Sequence, residues 1–221
     1  MSETSHYRKP GDLPQTVPVF PLSGALLLPR GHLPLNIFEP RYLNMVDDAL
    51  STTRIIGMVQ PMDQENRSNP KIYPVGCAGR LTSFRETPDG RYLITLTGIS
   101  RFRLERELDC TTPYRQVQVT FAPYANDFAP EDDGESIDRA RLTAALKTYL
   151  QMRNMETDWE AIEGASNEGL VNSLSMIGDF DVEEKQMLLE AETLSKRATI
   201  LTALIEFANA PGPQPPGSSV Q

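Results

Sequence analysis

The chain has 221 residues, 39% of them apolar and 23% charged, enough for one large domain or two lobes that share an interface. The formal net charge of −9 is unevenly placed, with +2 over residues 13–124 and −11 over residues 125–221, which argues against a general nucleic-acid binder. No stretch approaches the ~20 apolar residues of a membrane span, the polar start carries no apolar signal-peptide core, and two cysteines outside any CxxC spacing fit reduced, structural thiols of a cytoplasmic protein.

In chain order, residues 1–12 read as a flexible tail. Three apolar runs follow, Val17–Leu22, Ala25–Pro29 and Leu33–Glu39, broken at Ser23-Gly24 and at Pro29-Arg30-Gly31. Pro18, Pro21, Pro29 and Pro34 each remove a ladder donor, so these strands are expected at edges or bent. A helix is expected from Pro40, where the missing N–H costs nothing, with Tyr42, Met45, Val46, Ala49 and Leu50 on one face. Arg54–Pro61 reads as a buried strand and Met62–Lys71 as a flexible loop. Tyr73–Phe84 and Tyr92–Thr97 are strands joined through a Pro-Asp-Gly turn, followed by strands over Ser100–Leu108 and Gln116–Phe121. Period-two alternation from Ile55 to Phe121 predicts an antiparallel β lobe with one inserted helix over residues 13–124.

The period changes after an acidic linker at 125–135, expected to be exposed. Helices are predicted over Ser136–Arg153, from a Thr157-Asp158-Trp159-Glu160 capping box to Gly164, and around Leu170, Leu174 and Ile177. An Asp181-Val182-Glu183-Glu184 capping box opens another helix to about Ala191. The last helix has a stripe of Leu194, Ala198, Leu201, Ile205 and Ala208. Together these predict a helical bundle over 136–209, and the Pro/Gly/Ser-rich residues 210–221 read as a disordered tail. The fold class is α+β.

Several stretches carry a family resemblance. FPLSGALLLPRGHLPLNIFEPRYLNMVDDAL, IIGMVQP, VGCAGRLTSF, DGRYLITLTGISRFRLERE and EKQMLLEAETLSKRATILTAL stand in an order and spacing similar to the Lon N-terminal domain family. That is the PUA-like module that precedes the ATPase in Lon proteases and also occurs as a stand-alone protein. The resemblance spans roughly residues 13–208. It implies a PUA-like antiparallel pseudo-barrel and a role in recognising unfolded or extended polypeptide, as an adaptor or modulator of a separate protease.

Chemistry is expected to be absent. A Walker A loop needs a Gly-Lys pair that the chain lacks, and Ser195 and Lys196 are helix neighbours whose side chains diverge. His6 and His32, with two isolated cysteines, make no metal-ligand spacing, so neither cofactor nor metal is expected. Cys77 and Cys110 are both expected to be buried and structural.

Through the resemblance, Glu39 and Arg41 of FEPRY and Arg101 of ISRFR form the polar set of most interest. One reading makes them a structural network tying the inserted helix to the sheet. The other has them line a peptide groove with Phe38, Tyr42 and Phe102. Leu26, Leu27 and Leu28 are either core or a strand edge that captures an extended peptide, with Leu26 and Leu28 as its contacts. Because PUA-like relatives include RNA binders, an alternative places RNA on Arg80, Arg101, Arg103 and Arg106. A further alternative is a small-ligand-sensing interaction protein, if the groove is a closed pocket.

Overall fold

A computed structural model describes residues 7–62, 70–130 and 137–210. Residues 1–6 of the N-terminal tail, residues 63–69 of the expected loop, residues 131–135 of the acidic linker and residues 211–221 of the C-terminal tail lie outside the described residues. Six strands are formed: β1 (Thr16–Pro21), β2 (His32–Ile37), β3 (Ile55–Val59), β4 (Val75–Glu86), β5 (Tyr92–Leu108) and β6 (Gln116–Thr120). They lie in the order β2-β5-β4-β3-β1-β6, and a further β5–β6 pairing closes five of them into a barrel, with β2 laid on the outer stretch of β5. The fold is α+β, as the sequence predicts. One pairing departs from an all-antiparallel lobe, since β1 and β3 run parallel.

Prolines in β1 do not make it an edge. Residues 16–18 pair with β6 and residues 19–21 with β3, so each half of the strand is laddered on one flank only. A strand used that way can lose two N–H groups without leaving a gap in a ladder. The edge falls instead to β2, whose register runs from His32↔Thr97 to Ile37↔Tyr92. The expected strand over Ala25–Pro29 does not form. This segment crosses β5, where Arg30 N donates to Gly98 O (2.8 Å) and Gly98 N to Gly31 O (2.9 Å). The approach is so close that a Cβ on Gly98 would lie 2.0 Å from Leu28 O.

Tyr92–Thr97 and Ser100–Leu108 are one 17-residue strand, not two. Its ladder with β4 jumps from Gly79↔Gly98 to Ala78↔Ser100, leaving Ile99 as an extra residue. An inserted residue swaps the faces of everything beyond it. Before the bulge, Ile94 and Leu96 belong to the core outside the barrel. After it, Phe102 fills the barrel interior with Val17, Val19, Ile55 and Val117, over Gly57 and Gly76, where a Cβ would lie 3.0 and 2.6 Å from its ring. Arg101 is thereby turned outward, toward the helices.

The inserted helix α1 (Pro40–Ser51) starts at the expected proline and buries Tyr42, Met45, Val46 and Ala49 against the sheet. Beyond a 3-10 segment at Ala122–Phe128 come α2 (Arg139–Met152), α3 (Trp159–Gly164), α4 (Asn167–Ile177), α5 (Val182–Glu190) and α6 (Leu194–Asn209). Each of the five helices has a side-chain N-cap: Asp138, Asp158, Ser166, Asp181 and Thr193. Each cap satisfies an amide that the helix itself leaves open. The Asp181/Glu184 capping box forms as predicted. At α3 the cap is Asp158, accepting from Ala161 N, and the expected capping box at Thr157 does not form, because N3 is then Ala161, which has no side-chain acceptor. Leu201 and Ile205 of α6, Leu170 and Val171 of α4, and Leu188 and Leu189 of α5 join one continuous core with α1 and the outer face of the barrel. The two lobes therefore share their main core.

Candidate functional site

The expected β-lobe site comes apart in the structure. Leu26 and Leu28 are buried in the core, not at an open edge, because the Gly98 crossing folds their segment under β5. Phe102 is wholly buried inside the barrel and lines no groove. Tyr42 is buried against Phe20, ring centroids 4.1 Å apart, and burial pushes its phenol above the ordinary value. Glu39 and Arg41 do meet: Arg41 Nη2 lies 2.9 Å from Glu39 Oε2, and the guanidinium stacks over the Tyr42 ring at 4.5 Å. Arg101 belongs to another network. Phe38, 62% exposed beside that ion pair, is the one aromatic of the set open to solvent.

Among the arginines of the RNA alternative, Arg101 is buried and out of reach of a polyanion. Arg80 Nη1 donates to the Tyr7 hydroxyl (3.0 Å) and Arg106 Nε to Gln118 Oε1 (2.8 Å). Arg103 is exposed on β5. Among the described residues no three His, Cys, Asp or Glu side chains group as a metal site, and no helix is long and apolar enough to cross a membrane. Cys77 is buried and its thiol is pushed well up by burial, whereas Cys110, expected to be buried, is exposed in the loop after β5.

Asp127, placed by sequence in an exposed linker, is buried at the junction of the lobes. Its Oδ2 accepts from Arg101 N (2.8 Å) and Nε (2.9 Å), and its Oδ1 from Nη2 (2.7 Å). Arg101 Nη1 reaches on to Leu189 O (3.2 Å) and Ala191 O (2.6 Å), so this pair fastens β5 to the end of α5. Burial works against the Arg101 charge, but the bonds to Asp127 outweigh it and hold the guanidinium above its ordinary pKa. Nearby, Arg30 Nε donates to Glu168 Oε1 of α4 (2.9 Å), and Arg197 of α6 donates to Leu188 O (2.8 Å) and Asn172 Oδ1 (3.0 Å). Sequence reasoning missed Asp127, Glu168, Arg30 and Arg197. Their burial follows from how the helices dock on β5, which the sequence pattern around each residue does not show.

A large concavity lies in the helical lobe. It is an open groove of about 560 Å³ between α2, α3 and α4, walled by Leu146, Leu150, Ile162, Leu174, Phe180 and Ile205. Ile177, at the C-terminal end of α4, stands at its margin 78% exposed, and Met155 is exposed beside it. The rim is acidic: Glu156, Asp158 and Asp179 face a single Arg153, whose guanidinium lies 3.7 Å over the Tyr149 ring. Such a groove offers apolar contact area with an unbranched methionine that adapts to different shapes.

A closed barrel that shares its core with a helical lobe bearing an open apolar groove defines a two-lobed α+β domain. The model of the ATP-dependent protease La (LON) substrate-binding domain matches residues 16–206, and the chain belongs to that family. It is similar to Lon protease 2 of Myxococcus xanthus, 25% identical over 205 residues, covering 88% of this chain and 24% of that protein. Lon protease 2 of Thermus thermophilus is likewise 25% identical over 203 residues, with 88% and 24% covered. The chain thus spans about a quarter of the length of these relatives. In fold it matches the N-terminal domain of Mycobacterium avium complex Lon protease, with a TM-score of 0.61, 17% identity, and 86% of this chain and 97% of that one covered. It also matches a Lon N-terminal domain protein from Xanthomonas campestris, with a TM-score of 0.59, 21% identity, and 85% and 97% covered.

Proposed function

We propose that this domain recognises polypeptides by taking exposed apolar segments into the helical-lobe groove, and that it thereby serves as an adaptor or modulator of proteolysis. The observation that carries this reading is the groove itself: about 560 Å³ and apolar-walled, in a domain of the LON substrate-binding family. The acidic rim supports a preference for apolar stretches flanked by Lys or Arg, whose charges would meet Glu156, Asp158 and Asp179. Phe38 with the Glu39–Arg41 pair is the part of the expected β-lobe site that a polypeptide can still reach, and it is carried as a second contact.

Anisotropy of a labelled, permanently unfolded polypeptide, titrated with the purified protein at two salt concentrations, tests this directly. Trp159, the only tryptophan, lies in α3 next to groove residue Asp158 and gives an independent signal. Saturable binding that survives the higher salt is expected, with an Ile177→Asp variant binding at least about tenfold more weakly. Wild-type affinity in the Ile177→Asp variant would remove the groove from the site. A parallel titration with mixed-sequence RNA is expected to show no binding. Salt-sensitive RNA binding in place of polypeptide binding would favour the basic-residue alternative.

A further inference from the structure

Beside the Arg101–Asp127 pair lies a second, polar cavity of about 300 Å³, walled by Arg30, Arg101, Asp127, Glu168, Thr193 and Arg197. Two of its three guanidiniums have a carboxylate partner, Arg101 in Asp127 and Arg30 in Glu168. Arg197 does not. It is 5% exposed, and its Nε and Nη1 donate to the neutral acceptors Leu188 O and Asn172 Oδ1. Among the described residues no carboxylate lies within ion-pair distance of it, and its Nη2 finds no acceptor. Glu192 also lines this cavity, but it stands on the exposed rim with its carboxylate bonded to Lys196. Among the described residues, Arg197 is therefore the one guanidinium of this cavity that no carboxylate touches.

Arg197 keeps its charge at neutral pH. Burial, and then the neighbouring Arg101 charge, push its guanidinium down to about 10, while Asp127 and Glu168 at longer range hold it up. A buried guanidinium that no carboxylate touches is costly, so the site gains by admitting an anion. Helix α6, sixteen residues long, begins at the cavity wall with Thr193 and Leu194, and its positive dipole end favours negative charge there. The volume is at the lower end of that of small-ligand sites.

We infer that this cavity is a phosphate site, in which the open Nη2 side of the Arg197 guanidinium on α6 holds a free phosphate ion or the phosphate group of a small metabolite. Guanidiniums match phosphate oxygens with paired N–H donors, which a spherical chloride cannot use. The ligand would sit at the corner where α6 meets β5 and the Arg30 turn. This site is separate from the apolar groove and does not depend on what the groove binds.

The test is a titration of the full chain with inorganic phosphate at pH 7, with sodium chloride holding ionic strength constant. Expected are a saturable shift of the Arg197 Nε–Hε resonance in the ¹H–¹⁵N spectrum and a Tm that rises with phosphate concentration. Arg197→Met is expected to weaken binding at least about tenfold. Glu192→Gln removes a rim carboxylate without touching the guanidiniums and is expected to bind phosphate about threefold more tightly, so the test survives if Arg197→Met fails to fold. Glycerol phosphate separates the two sources: equal or tighter binding points to a small phosphomonoester, and binding at least about tenfold weaker to the free ion. An unmoved Arg197 resonance, with a Tm no higher than in chloride, would overturn the assignment.

Discussion

Replacing Asp127 by Asn tests whether the lobes are fastened by a buried ion pair. The side chain keeps its volume, but a carboxylate that accepts three hydrogen bonds from Arg101 becomes an amide with one acceptor oxygen. At least one Arg101 N–H is then aimed at an NH₂ group. The guanidinium loses its counter-ion while 6% exposed, with Arg197 close enough to repel it. Removing one partner of a buried pair costs about 3–5 kcal/mol, against a total stability of about 5–15 kcal/mol for a domain. Urea unfolding followed by circular dichroism should show a midpoint shift of that size at unchanged m-value. The double variant Arg101→Met/Asp127→Leu removes both charges and should recover most of the loss, to within about 2 kcal/mol of the parent. A cost below about 1 kcal/mol for Asp127→Asn, or a double variant as unstable as the sum of the singles, would refute the account.

Other parts of the structure give sharper local tests. Phe102→Ala should cost about 3–5 kcal/mol by emptying the barrel interior, measured in the same urea series; a loss of polypeptide binding without loss of stability would restore it to a groove. Gly98→Ala should cost about 3 kcal/mol, because the new Cβ meets Leu28 O at 2.0 Å and backbone must move. A thiol reagent should modify exposed Cys110 in the native protein and buried Cys77 only on unfolding, read by mass spectrometry. Burial raises the Cys77 pKa above its unfolded value near 9.0, so above pH 9 the unfolded chain loses a proton that the folded one keeps. Stability should therefore fall with rising pH, by about 1.4 kcal/mol per unit from this thiol, and the slope should be shallower in Cys77→Ala.

How much of this could be read in the sequence turns on one residue of register. Alternation is a local pattern, and it located β4, β5, β6, α1 and the helical stripes well. Whether a given side chain faces the barrel interior or the helices depends on the Ile99 bulge, and a bulge has no signature in an apolar, β-branched residue. The family resemblance put Phe102 and Arg101 in one groove, whereas consecutive strand residues face opposite sides, and past the bulge the ring turns inward and the guanidinium reaches Asp127. Leu26–Leu28 failed for a related reason: a tri-leucine run looks the same whether it pairs as a strand or crosses under one, and only the contact of Leu28 O with Gly98 decides.

Charges at the lobe junction were hidden differently. Asp127 stands just before an acidic run in the sequence, and Arg197 stands on a helix next to an exposed Lys196. Their burial is a property of how α5 and α6 dock on β5, and docking follows from the outer core that those helices share with the sheet. The apolar groove follows from the same geometry. Leu174 and Ile177 fit the period of α4, and α6 packs along that helix, so the sequence pattern alone reads both residues as core. The loop from Arg153 to Asp158 instead carries the chain from α2 round to α3, leaving the end of α4 uncovered and Ile177 in solvent. An apolar residue at a core position of the helical repeat, left 78% exposed at the mouth of a groove, is the part of the pattern that folding does not use, and it is therefore where binding is best sought.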